Sequence, residues 1–115
     1  MRVKIYHNPR CGKSRQTLQL LQAQGIEPEV IEYLKTPPSA EDLNDILQKL
    51  GIEPRELMRK KEAAYKESGL DDHSLDRQAL INGMVNNPIL IERPIVIANN
   101  KAAIGRPPEA VLAIL

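Results

Sequence analysis

The alternation of apolar and polar residues at the start of the chain predicts a strand, a helix and a second strand. Residues 3–6 alternate as a short strand, and the His-Asn-Pro turn at residues 7–9 ends it. A helix is predicted from about Lys13, and Gly25 stands where a glycine commonly caps a helix C-terminus. Residues 29–33 form the second predicted strand. Because a helix connects them, the two strands should be parallel.

The middle of the chain has helical periodicity. Its clearest stripe consists of four aliphatic residues at helical spacing: Leu43, Ile46, Leu47 and Leu50. Ser39 is the predicted N-cap of this helix, with Asp42 three residues further on. A short helix is predicted at residues 54–58, and a polar stretch follows to about residue 73. Another helix is predicted from near residue 76 to just before Pro88.

The end of the chain returns to strand patterns. Residues 95–98 are apolar and largely β-branched, Asn99 and Asn100 favour a turn, and residues 102–104 return as the second arm of a hairpin. A last helix is predicted, with Pro107 and Pro108 in its first turn. Its predicted buried face is Val111, Leu112 and Leu115. The order β-α-β, helices, β-β-α predicts an α/β protein with a thioredoxin-like fold and a mixed four-stranded sheet.

Composition limits the classes of protein that fit this pattern. The 115 residues predict one domain over 1–115, with a helical insertion at about residues 37–88. Sixteen basic and 15 acidic residues give a net charge of +1, which argues against a general nucleic-acid binder. No stretch approaches the length of a membrane span, and the first residues lead straight into a strand pattern instead of a signal peptide. We expect a monomer without membrane or nucleic-acid partners.

Cys11 is the single cysteine, so an intramolecular disulfide is impossible. An unpaired thiol suits a reducing compartment, and we expect the protein to be cytoplasmic. Any redox cycle at Cys11 must be completed by a thiol from another molecule. No tightly bound cofactor is expected.

The position of Cys11, between a strand and a helix, suits a reactive thiol. Backbone N–H groups at a helix N-terminus stabilise a thiolate, and the positive groups of His7, Arg10, Lys13 and Arg15 would add to this. The Ser14 hydroxyl can donate a hydrogen bond to the sulfur. Free cysteines are often buried as small apolar residues, but the polar neighbours of Cys11 argue against that alternative. For His7, a hydrogen-bonded turn residue is an equally good interpretation.

Three other kinds of site fail on spacing. Gly12-Lys13-Ser14 resembles the end of a nucleotide-binding P-loop, but His7 stands where the first glycine is required. A cysteine phosphatase loop would place arginine six residues after the nucleophile, where this chain has Thr17. One cysteine with histidines at 7 and 73 provides too few ligands for zinc, so no metal is expected.

Five segments together form a specific combination. They are residues 7–15 (His-Asn-Pro-Arg-Cys-Gly-Lys-Ser-Arg), 33–34, 57–60, 87–96 and 106–107. These segments resemble the glutaredoxin-coupled arsenate reductases of the ArsC family, and most closely its chromosomal branch. The resemblance keeps the order of the segments and covers essentially the whole chain. The resemblance implies an oxidoreductase in which Cys11 attacks arsenate or a similar oxyanion, and glutathione, as co-substrate, displaces the reduced product. Glutaredoxin then resolves the mixed disulfide.

The resemblance also implies residue roles. It matches three positions to the family's anion-binding arginines: Arg59, Arg93 and Arg106. His7 matches a histidine that helps to ionise the thiol, and Ser14 matches the serine beside the sulfur. Pro94 matches a proline held cis opposite the cysteine, and Gly12 is a supporting residue of the loop. The guanidinium fork suits the oxygens of a multiply charged oxyanion, although any one of these arginines alone would be taken for a surface residue.

Two other functions remain open at this point. A glutathione-linked thiol oxidoreductase with another substrate would use Cys11 without needing three arginines. A non-catalytic regulatory protein of the Spx type shares the fold but usually carries a second cysteine where this chain has Ser14. Arg10 departs from the small residue of resistance-type reductases, which bears on anion preference.

Overall fold

The computed structural model describes residues 2–115. A mixed four-stranded sheet lies at the centre of its first and last segments. Its strands are β1 (Val3–His7), β2 (Glu29–Glu32), β3 (Ile95–Ala98) and β4 (Lys101–Ile104). Their order in the sheet is β2-β1-β3-β4. β1 and β2 are parallel, whereas β3 is antiparallel to both β1 and β4. The predicted thioredoxin-like α/β fold with a mixed sheet is confirmed.

Five α-helices lie within residues 2–115. They are α1 (Gly12–Ala23), α2 (Ala40–Leu50), α3 (Pro54–Leu57), α4 (Ala63–Glu67) and α5 (Arg77–Asn86). Two 3₁₀ helices, Pro88–Leu90 and Pro108–Ile114, complete the helical elements of these residues. None of these helices is long and apolar enough to cross a bilayer.

The chain divides into two compact units. One combines the residues up to Thr36 with Arg93–Leu115, and the other is Pro37–Glu92. The sheet, α1 and the C-terminal 3₁₀ helix belong to the first unit, and α2–α5 to the second. The core of the first unit is aliphatic: Val3, Ile5, Leu21, Val96, Ala98, Val111 and Ile114. That the 115 residues act as one domain stays a prediction.

The Pro37–Glu92 unit contains the best-predicted helix and a helix that pattern analysis missed. Ser39 and Asp42 form a reciprocal capping box at the start of α2, with N–H···O distances of 3.0 and 3.2 Å. α4 lies within the polar stretch for which no helix was predicted. Tyr65 is its only buried residue, so no apolar stripe announces it. Arg55 donates a 2.7 Å hydrogen bond to the Tyr65 hydroxyl, which anchors this helix.

The predicted buried face of the last helix is confirmed for Val111, is wrong for Leu112, and holds only in part for Leu115, which is partly buried against the core. The segment forms a 3₁₀ helix whose buried residues are Pro108, Val111 and Ile114, while Leu112 is 40% exposed. Three residues per turn align positions i, i+3 and i+6, whereas the prediction assumed the 3.6-residue period of an α-helix.

Gly105→Ala should destabilise the protein by about 1–3 kcal/mol because the new methyl group has no room. A Cβ atom at Gly105 would overlap the Thr17 hydroxyl and would lie 2.7 Å from Cγ of Pro94. Both neighbours are stiff and buried. Urea unfolding measures the loss.

Gly83→Ala is the matched control. Its Cβ would approach Leu70 Cδ2 at 2.5 Å, but a leucine end can rotate away, and alanine favours helix α5 by about 1 kcal/mol over glycine. An equal or larger loss of unfolding free energy at Gly83 would contradict this account.

Candidate active site

Cys11 is the N-cap residue of α1 and is partly exposed. Its backbone N–H donates to the Asn8 carbonyl at 3.0 Å, and its own carbonyl accepts from the Arg15 N–H at 3.0 Å. These two hydrogen bonds fix the backbone of Cys11 at the junction of the loop and the helix, where the first helical N–H groups lack partners within the helix.

Asn8 holds the loop together, and our sequence prediction missed it. It is only 7% exposed, and its Oδ1 accepts from the Arg10 N–H at 3.0 Å while its own N–H donates to Ser14 Oγ at 3.0 Å. Arg15 adds a 3.0 Å hydrogen bond from Nη1 to the Pro9 carbonyl. The asparagine before a proline was a usable signal, because Asn side chains commonly bond the backbone two residues on.

The surroundings of the sulfur favour the thiolate. Burial raises the pKa of the Cys11 thiol, but this is outweighed by a hydrogen bond from the Ser14 backbone N–H, the hydrogen bond and charge of Arg93, and the Lys13 backbone N–H. The net pKa of Cys11 lies below the ordinary thiol value. Arg93 is the positive side chain among these contributions. Of the four groups expected from sequence, Lys13 contributes through its backbone and not its ammonium.

Arg93 and Arg106 meet at the sulfur. The Arg106 Nη2 atom lies 3.5 Å from Cys11 Sγ, and Arg106 Nε donates to the Arg93 carbonyl at 2.9 Å. Both arginines precede prolines, and both peptide bonds are cis, so Pro94 has the geometry that the resemblance implied. Arg106 is exposed and Arg93 partly buried. Two of the three predicted oxyanion residues are thus placed beside Cys11.

His7 and Ser14 form a buried pair. His7 Nδ1 lies 2.6 Å from Ser14 Oγ, and the two residues are 6% and 0% exposed. Burial lowers the pKa of His7 and the charge of Arg15 lowers it further, against the opposing charge of Glu32, so the ring is neutral at pH 7.

Two expectations from sequence therefore change. The Ser14 hydroxyl bonds His7 and Asn8, and it is the Ser14 backbone N–H that reaches the sulfur. A neutral His7 adds no positive charge to stabilise the thiolate. Its contact with Ser14 instead supports the first turn of α1, from which the N–H groups project.

Arg59 belongs to the Pro37–Glu92 unit and is engaged there by two carboxylates. Nη1 lies 3.0 Å from Glu92 Oε1, and Nε lies 3.3 Å from Glu62 Oε1. Burial lowers the pKa of Arg59, but Glu92 and Glu62 together raise it above its ordinary value. The Arg59 backbone N–H also donates to the Leu90 carbonyl at 2.7 Å. The guanidinium is thus held in a defined orientation by acidic partners.

Gly12 has no steric reason to be a glycine. A Cβ atom there would meet only Arg15 Nη2, at an ordinary 3.8 Å. Gly12 begins α1, and its supporting role in the loop stays a prediction. Among residues 2–115, no group of three or more His, Cys, Asp or Glu residues is arranged to hold a metal ion.

The rate of Cys11 alkylation should follow a titration curve whose midpoint lies below about 8.5, the value of a free thiol. Since only the thiolate reacts, a lowered pKa brings the rate to its plateau at lower pH. Iodoacetamide modification from pH 5 to 10, followed by mass spectrometry, measures the curve, and one cysteine makes the signal unambiguous. A midpoint at or above the free value would contradict the described environment.

Comparison with known proteins shows that this chain is similar in sequence and fold to the following proteins. A model of the ArsC family matches residues 6–114. The chain is 62% identical to the uncharacterised protein YfgD of Escherichia coli strain K12, over 98% of this chain and 96% of that protein. It is 53% identical to an arsenate reductase of Neisseria meningitidis, over 98% and 97% of the two chains. The solved structure of an arsenate reductase from Vibrio cholerae superposes with a TM-score of 0.97, at 56% identity, over 100% and 98%.

Proposed function

This chain belongs to the ArsC family, and from that premise we propose that it is an arsenate reductase with Cys11 as its nucleophile. The observation that carries the proposal is the convergence of Arg93, Arg106 and the α1 N-terminus on the Cys11 sulfur. The same donors that stabilise a thiolate can bind an oxyanion brought next to it. Relatives named as arsenate reductases share about half of the sequence over nearly its full length.

In the first step, the Cys11 thiolate attacks arsenic of bound arsenate. An S–As bond forms, and one arsenate oxygen leaves as hydroxide, which takes up a proton to become water. Arg93 and Arg106 reduce the repulsion between the negative sulfur and the negative oxyanion by donating to both. Arg59 is the third expected oxyanion residue, and its acidic partners hold the guanidinium in a single orientation.

In the second step, we propose that glutathione supplies the electrons. Its thiolate attacks the Cys11 sulfur, the new S–S bond forms, and the S–As electron pair stays on arsenic, which leaves as arsenite. Glutaredoxin then attacks the glutathione sulfur of the mixed disulfide and releases Cys11 as thiolate. An external reductant is required because Cys11 is the only cysteine. Such a cycle fits a reducing compartment, and we propose the cytoplasm.

The test is NADPH oxidation in a coupled assay with arsenate, glutathione, glutaredoxin and glutathione reductase. We expect turnover that stops when arsenate, glutathione or glutaredoxin is left out. Turnover that survives without glutaredoxin would overturn that part of the cycle. No arsenate-dependent turnover, from protein whose Cys11 still forms a mixed disulfide with glutathione, would replace the proposal by a thiol oxidoreductase acting on another substrate.

A further inference from the structure

A small cavity beside the Cys11 loop has no part in the oxyanion site described above. Its volume is about 180 Å³, and it is lined by residues 7–10 at the end of β1 and in the loop, and by Glu32, Leu34 and Lys35 at and just after the end of β2. All of these residues belong to the same compact unit as Cys11. The cavity therefore lies against the loop that leads into Cys11, on residues that the fold holds together through the parallel pairing of β1 and β2.

The cavity carries positive charge that the protein itself leaves available. Arg10 is exposed, and among residues 2–115 no carboxylate pairs with its guanidinium. Lys35 pairs with Glu32 at 3.6 Å, but the Lys35 side chain is 78% exposed, and an ion pair of this kind contributes little. The cavity thus has two cations, Arg10 and Lys35, against the single carboxylate of Glu32, and the exposed Lys35 is only weakly held by that carboxylate.

An apolar surface adjoins these cations. Leu34, between Glu32 and Lys35 in sequence, is 42% exposed. A cavity with two cations and an exposed leucine suits one end of a small organic anion, with a carboxylate on the cations and an uncharged stem on the leucine.

We propose that this cavity binds a terminal carboxylate of the reducing thiol, glutathione, and so delivers that thiol to Cys11; the inference rests on the proposed function and assigns the place of its reductant. Arg10 directly precedes Cys11, with Cα atoms about 3.8 Å apart, so a carboxylate held by Arg10 leaves the thiol of a tripeptide within reach of the sulfur. The substrate oxyanion and the reductant then use different cations, Arg93 and Arg106 for the first and Arg10 and Lys35 for the second.

Thiol–disulfide exchange tests this without arsenate. The Cys11 thiolate attacks glutathione disulfide, the S–S bond breaks, glutathione thiolate leaves with the electron pair, and Cys11 becomes glutathionylated. The rate is measured by mass spectrometry with glutathione disulfide, which carries carboxylates, and with bis(2-hydroxyethyl) disulfide, which is uncharged. The variants are Arg10→Gln and the double change Arg10→Gln with Lys35→Gln.

For the double variant we expect the ratio of the two rates, charged over uncharged disulfide, to fall about tenfold. The ratio removes any change in the reactivity of the thiolate, since such a change affects both disulfides alike. Lys101→Gln removes one positive charge, as Arg10→Gln does, and is the charge control for that single variant. Because Ala98 pairs with Val3, the β3–β4 turn next to Lys101 lies at the end of the sheet away from the Cys11 loop. An unchanged ratio in the double variant, or a fall in Lys101→Gln as large as that in Arg10→Gln, would overturn the proposal.

The arsenate assay separates this inference from the proposed function. We expect the double variant to raise the KM for glutathione and to leave the KM for arsenate unchanged. If wild type reduces no arsenate while the exchange ratio still depends on Arg10 and Lys35, the reductase function fails and the thiol-binding cavity stands. If arsenate is reduced and the ratio does not change, the cavity assignment fails alone.

Discussion

Cys11→Ser is expected to lower arsenate turnover by at least about a thousandfold and to leave the fold intact. A serine hydroxyl is not ionised at neutral pH and cannot form the S–As and S–S bonds on which each half of the cycle depends. Serine is also a favourable N-cap residue, so α1 should keep its start. The coupled assay measures activity, and thermal unfolding checks the fold.

The single cysteine provides a matched control. Wild type alkylated with iodoacetamide changes only Cys11 and should lose activity to the same extent as Cys11→Ser. Activity above background in either sample would refute Cys11 as the nucleophile. A variant that fails to fold would be recognised by its unfolding curve, and the alkylated wild type would then decide the question.

Arg93→Ala is expected to lower kcat/KM for arsenate by about 100-fold or more. Arg93 contributes both a hydrogen bond and a charge to the Cys11 thiolate, and each hydrogen bond to a charged group contributes about 1.5–3 kcal/mol, or roughly 10- to 150-fold. A second loss of this size arises if the same guanidinium binds the oxyanion. The pKa of Cys11 should also rise, which shifts the alkylation curve to higher pH.

Two further variants separate the charge of Arg93 from its planar geometry and control for the loss of an arginine elsewhere. Arg93→Lys keeps the charge but loses the planar fork, so the alkylation curve should shift less than in Arg93→Ala while kcat/KM still falls. Arg77→Ala removes an arginine whose partners are Asn44 and Glu53 and should leave both measurements unchanged. If Arg93→Ala moves neither the curve nor kcat/KM, Arg93 has no role at the sulfur.

Local sequence predicted those elements whose signals lie within a few residues. The capping box of α2 and the apolar run of β3 are such signals, and both elements formed where expected. The parallel pairing of β1 and β2 followed from the helix between them. By contrast, α4 depends on Tyr65 and on Arg55, ten residues away, and its own residues show no stripe.

In the active site too, local sequence predicted some features, and others depend on contacts between distant residues. Cys11 at the start of α1 could be found from the order of strand, turn and helix. The local sequence suggested a positive loop of His7, Arg10, Lys13 and Arg15. The guanidinium groups at the sulfur are instead those of Arg93 and Arg106, which lie 82 and 95 positions further along the sequence. Only the family resemblance named Arg93 and Arg106, because no local pattern distinguishes them from surface arginines.

The sequence by itself indicated Cys11 as the candidate nucleophile and the need for an external thiol in any redox cycle there. It also predicted the order of the strands and of helices α1, α2, α3 and α5. These follow from residue type, residue number and short-range periodicity. The tertiary structure alone decided which groups stabilise the sulfur, that His7 is neutral and buried against Ser14, and that Arg59 is held by Glu62 and Glu92. The physical reason is that hydrogen bonds and desolvation act over a few ångströms between residues that are distant in the chain, and only the fold sets those distances.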